Sequence, residues 1–132
     1  MNTAARILTV TRRRGVVPFE SGDVRYAAHE ACHGIELGLD DWDVDTIHYA
    51  LAEQRIGDRV VMECRARAVE QIVCARLGVA TKTIEHWAYV TSMEALRNRL
   101  DVPIEVFVTG TRARMDCPKT LALAERILAV DF

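Results

Sequence analysis

Two histidines four residues apart, in the run His29-Glu30-Ala31-Cys32-His33, constrain this chain more than any other feature. At 100° per residue, positions i and i+4 lie about 40° apart on an α-helix, one turn above each other. Two imidazoles so placed can converge on one metal ion, and Glu30 beside them can take a proton from a water held by that ion. The surrounding residues read as helix independently of the motif. Ser21-Gly22-Asp23 offers N-cap chemistry, Val24, Ala27, Ala28, Ala31 and Ile35 recur at helical spacing, and Gly38 suits the C-terminal side. This predicts a helix over 22–37. Cys32 points away from the face shared by His29 and His33 and reads as a buried thiol.

The rest of the chain follows the same reading. Residues 4–10 and 15–19 are short and β-branched and predict two N-terminal strands around Arg12-Arg13-Arg14. Pro18 ends the second strand or places it at an edge. Val44, Ile47 and Leu51 lean helical over 43–54, though Thr46-Ile47-His48-Tyr49 could also be a strand. Val60, Val61, Cys64, Ala68, Ile72, Val73 and Leu77 form a helical stripe over 58–77 that stops at Gly78. Thr81 or Thr83 caps a further helix carrying Ile84, Trp87, Ala88, Val90, Met93 and Leu96, with Trp87 and Met93 expected in the core. Pro103 opens a segment to about 113 whose type the pattern leaves open. Asp116 and Pro118 start a last helix. Strands followed by helices predict an α+β fold, a minimal arrangement of short strands and a mostly helical remainder, in one domain spanning 1–132.

A catalytic zinc takes three protein ligands and keeps one position open. Two are His29 and His33. An extended motif with Gly at 36 and His at 39 is excluded, because the chain has Glu36 and Leu39. Asp40, Asp41, His48, Glu63 and Glu70 remain. The acidic run 40–45 reads foremost as a solvated turn. Glu63 and Glu70 share one face of the 58–77 helix. The small Ala66, one turn past Glu63, would let that helix approach the motif helix, which favours Glu63 as ligand. Glu70 then either orients a ligand histidine or forms a surface pair with Arg67 or Arg76.

Composition narrows the function classes. The formal charge is −2 over 132 residues, which argues against a nucleic-acid wrapper, and three arginines at 12–14 are too few to argue phosphate binding. No apolar run approaches the roughly 20 residues of a membrane span, and Met1–Val10 lacks a signal-peptide core; a cytoplasmic protein is expected. Cys32, Cys64, Cys74 and Cys117 make no CxxC pair and read as free thiols.

His29–His33 followed by Glu63-x-x-Ala66 resembles the zincins with an HExxH…ExxA pattern, ImmA/IrrE peptidases among them. The chain is similar over residues 19 to about 100 to the zincin domain of ArdC-type antirestriction proteins. That likeness rests on Phe19-Glu20-Ser21, Tyr26, His29–His33, Glu63–Ala66, Val73-Cys74-Ala75-Arg76-Leu77-Gly78 and His86-Trp87-Ala88-Tyr89. It departs at Arg67, where the family carries an acidic residue, and at Gly34-Ile35, where it carries an aromatic and Thr-Gly. The single-stranded-DNA-binding domain of ArdC-type proteins has no counterpart in these residues. The resemblance implies Zn2+ on His29, His33 and Glu63, with Glu30 as general base. It also draws attention to His86 and Tyr89 as donors to a developing oxyanion, against their other reading as packing residues with exposed tips.

The function expected is a zinc-dependent hydrolase, a small metallopeptidase acting on a protein or peptide. The alternative is a binding protein on a zincin scaffold, an antirestriction factor or regulator with little peptidase activity.

Overall fold

The computed structural model describes residues 2–17 and 23–130. Seven helices follow one another: α1 (Thr3–Arg13), α2 (Asp23–Glu36), α3 (Val44–Ala52), α4 (Ile56–Leu77), α5 (Ile84–Arg97), α6 (Ile104–Arg114) and α7 (Pro118–Ala129). No strand occurs among the described residues, so the expected α+β class is wrong: the fold is all-helical.

The error lies at the N-terminus. Residues 4–10 belong to α1, not to a strand. Their β-branched side chains fit a helix for two local reasons. Asn2 caps the first turn, its Oδ1 accepting from the Ala5 N–H at 2.8 Å. The Thr9 and Thr11 hydroxyls donate back to the carbonyls of Ala5 and Ile7, both at 2.8 Å, so neither competes with the helix for its own backbone. Packing does the rest. Ile7, Val10 and Thr11 are buried and spaced i, i+3, i+4, the stripe of a helix and not the alternation of a strand. Of the second expected strand, 15–17 form a connection and 18–19 lie outside the described residues, as do the Phe19-Glu20-Ser21 match and the Ser21-Gly22 cap.

The other helices fall close to where periodicity put them. Thr83 caps α5, accepting from the His86 N–H. Asp43 caps α3, accepting from the Thr46 N–H at 2.9 Å and its hydroxyl at 2.6 Å. The acidic run therefore contains a cap. Gly78 ends α4 in the left-handed region, φ 67°. Residues 104–114 are helical, and Cys117, not Asp116, occupies the N-cap of α7.

The long α4 is the axis of the molecule, with α2, α5, α6 and α7 packed around it. Its buried residues include Cys64, Ala66, Ala68, Val69, Val73 and Cys74, spread around its circumference, as expected of a helix enclosed on several sides. One core lies among α1, α2, α3, α4 and α7, and a smaller one, built on Cys64, Ala88 and Phe107, among α4, α5 and α6. Where α2 meets α4, Arg25 and His29 reach Glu70, His29 and His33 reach Glu63, and Glu36 reaches Arg65, while Ala27, Ala28, Ala31, Ala66 and Val69 are buried in the core that these helices share. The Trp42 indole closes the far end of α2. A Cβ built on Gly34 would lie 2.1 Å from Trp42 Nε1, so only glycine admits the ring, which donates to the Leu39 carbonyl at 2.9 Å. No helix among the described residues is long and apolar enough to cross a membrane.

Candidate metal centre

The crossing of α2 and α4 brings His29 and His33 against Glu63. Their ligand atoms lie within 4.8 Å of one another. His29 Nε2 stands 3.1 Å from His33 Nε2, His33 Nε2 is 3.2 Å from Glu63 Oε1, and His29 Nε2 is 3.5 Å from Glu63 Oε2. Donors at the corners of a zinc tetrahedron, with bonds of roughly 2.0–2.1 Å, stand about 3.3 Å apart. The two imidazole nitrogens stand near that edge from each other, and each lies near it from one of the two Glu63 oxygens, so the three side chains face one another at the range of ligands to a divalent ion. Of the candidate third ligands, Glu63 completes the cluster. Asp40 and Asp41 are exposed residues of the α2–α3 connection, and His48 lies on the wall of the adjoining cleft.

Glu70 has the orienting position. It is fully buried, and its Oε2 lies 3.2 Å from His29 Nδ1. A carboxylate there accepts the Nδ1 proton and leaves Nε2 facing the cluster. Two arginines hold it: Arg25 Nη1 at 3.0 Å on the same oxygen and Arg67 Nη1 at 3.1 Å on Oε1. The pair with Arg67 is thus real, but buried. Trp87 completes the arrangement, with the Arg25 guanidinium 3.9 Å and the Arg67 guanidinium 5.0 Å from its ring. Arg67 Nε also donates to Thr91 Oγ1 at 2.8 Å. Arg25 and Arg67 were not foreseen as site residues. Arg25 lies four residues before His29 on one helix face, and that spacing was the available signal.

Protonation follows from these contacts. Burial opposes ionisation of Glu63, but His33 and His29 outweigh it and hold the carboxyl well below its usual range. Burial likewise opposes ionisation of Glu70, and Arg67, His29 and Arg25 bring it down to about 2. Burial and Arg67 depress His29, yet Glu63 and Glu70 together raise it to about 9. Burial and then Glu30 push the Tyr26 phenol up to about 12.

The cluster borders a cleft of about 530 Å3. Glu30 reaches it from α2. That residue is buried, and its Oε2 makes no hydrogen bond. A carboxylate oxygen buried without a partner is costly in a purely structural role and suits a group kept for water or substrate. His86 and Tyr89 are elsewhere. Both are exposed on α5, Tyr89 by 56 %, and neither lines the cleft. The α5 residues that do line it include Trp87, Val90, Thr91 and Glu94, so Trp87, half-buried and outside both cores, faces the cleft, and Met93, also expected in the core, is exposed. Cys32, Cys64 and Cys74 are buried free thiols, and burial raises all three.

No family model matches the chain, and neither a curated protein nor a solved structure matches it.

Proposed function

We propose that this chain is a zinc-dependent hydrolase that cleaves amide bonds in peptides. One observation carries the reading. Two helical histidines and a carboxylate from a second helix converge at zinc spacing beside an open cleft, next to a buried carboxylate with an unpartnered oxygen. Three protein ligands are the count of a catalytic zinc site, whereas structural sites are closed by four. The HExxH and Glu-x-x-Ala resemblance to zincins supports the same choice.

His29, His33 and Glu63 would hold the ion. Zinc, when bound, supplies Lewis acidity toward a carbonyl and acidifies water. The chain's own groups do the rest. Glu30 accepts a proton from water in the cleft and returns it to the leaving nitrogen. Glu70 fixes the His29 ring through Nδ1, and Arg25 and Arg67 keep Glu70 ionised.

Metal analysis and one variant test this. Purified protein is expected to carry about one zinc per chain. Glu30→Gln is expected to keep the metal and lose amide hydrolysis by at least about 100-fold. Protein that takes up no zinc, or a Glu30→Gln variant as active as the parent, would overturn the proposal.

A further inference from the structure

The cleft has two unlike ends, and the register of α4 against α5 orders them. Gln71 Nε2 donates to the Lys82 carbonyl at 2.8 Å, and Arg67 Nε to Thr91 Oγ1 at 2.8 Å. Moving back along α4 thus moves forward along α5. One to two turns further toward the start of α4, Arg59 and Val60 come opposite Ala95, Arg97 and Asn98, and all five line the cleft. Along α4, Val60, Glu63 and Arg67 follow one another at about 1.5 Å per residue. The metal cluster therefore lies between an end occupied by Arg25, Arg67 and Trp87 and an end floored by Val60, Ala95, Val102 and Phe107.

The cations at the two ends differ in what they are free to do. Arg25 and Arg67 are engaged by the buried Glu70. Arg59 and Arg97 border the apolar end, and among the described residues neither forms an ion pair. An apolar floor beside two uncommitted guanidinium groups is complementary to an apolar side chain next to a negative charge.

We propose that the substrate is a peptide that seats a bulky apolar side chain on Val60 and Phe107 and a neighbouring carboxylate between Arg59 and Arg97. The inference rests on the hydrolase reading of the same cleft and names its substrate class. The carboxylate is either a chain terminus or an acidic side chain.

Chemical-shift titration of the zinc-treated chain with small probes tests this. N-acetyl-phenylalanine presents a terminal carboxylate and N-acetyl-phenylalanyl-aspartamide a side-chain one; whichever binds identifies the source, and binding by neither overturns the proposal. N-acetyl-alanine is expected to bind about 30-fold more weakly than its phenylalanine counterpart. N-acetyl-phenylalaninamide is expected to bind about five-fold more weakly than the acid, a modest factor because the arginines are solvated. Arg59→Gln with Arg97→Gln should erase the advantage of the acid and leave the amide unchanged. An advantage that survives the double variant would place the carboxylate on the metal cluster instead and overturn the proposal, as would equal binding of the alanine and phenylalanine probes. The two readings fail separately. Chain that takes up no zinc but keeps both preferences sinks the hydrolase alone. Chain that binds zinc and needs Glu30, but shows no preference, sinks the substrate class alone.

Discussion

At the scale of single residues, Glu63 and Glu70 show how one helix face divides two tasks. They are seven residues apart on α4, and the crossing with α2 puts Glu63 on the Nε2 side of the histidines and Glu70 on the Nδ1 side of His29. Glu63→Ala should therefore remove a ligand and weaken zinc binding by well over about 100-fold, beyond the 10–100-fold typical of an orienting group; competition with a chelating dye measures it. Glu70 shares the acid sensitivity with Glu63, since both carboxyls are held below their usual range. The Glu70 carboxyl titrates near 4.5 in an unfolded chain and near 2 here. A depressed carboxyl contributes stability that is fully present above about pH 4.5 and is lost as pH falls toward 2. Thermal melts in chelator should show the melting temperature falling across that window. Glu70→Gln should lower it at pH 7, since Arg25 and Arg67 lose their shared partner, and make the acid slope shallower, Glu63 supplying the remainder; an unaltered slope would show that Glu70 does not contribute.

At the scale of elements, Gly34 and Trp42 decide how α2 ends. Gly34→Ala drives a methyl into the indole, and overpacking of this kind costs about 1–3 kcal/mol or more. Urea unfolding should show a loss of at least about 2 kcal/mol, because the intruding atom is fixed to the backbone. The caps are a gentler matter. Asp43→Ala removes the acceptor of the Thr46 N–H and should cost about 1 kcal/mol by the same measurement. Element type was legible in the sequence wherever burial is one-sided or punctuation is local. The helices α2 and α5 announced themselves through spacing or a cap, α4 through its stripe and Gly78, and α3 only in part, since Thr46–Tyr49 also suits a strand. Helix α1 did not, because Ile7, Val10 and Thr11 have strand-like side chains and only their burial in the core beside α2 and α7 gives them a helical role. The same limit applies to His86 and Tyr89. Their spacing places them on a helix, but which side of α5 faces the cleft depends on what α5 packs against.

At the scale of the whole molecule, the candidate centre joins α2 to α4 through side chains alone. An ion held by His29, His33 and Glu63 would add a tie between two helices already bridged by Arg25 and His29 on Glu70 and by Arg65 on Glu36. Zinc at about 100 times its dissociation constant should stabilise the chain by about 2.7 kcal/mol, read as a rise in melting temperature. The rise should be absent in His33→Ala.

The His29–His33 spacing by itself determined that one helix must present two imidazoles and a carboxylate together, because helical geometry is local and repeats every 3.6 residues. Nothing local could decide which distant acid would meet them, that Arg67 would turn inward to Glu70, or that the N-terminal residues would form a helix. Those outcomes depend on how closely α2 and α4 cross, and on which charges that crossing removes from water. Long-range packing sets both, and only the tertiary structure records it.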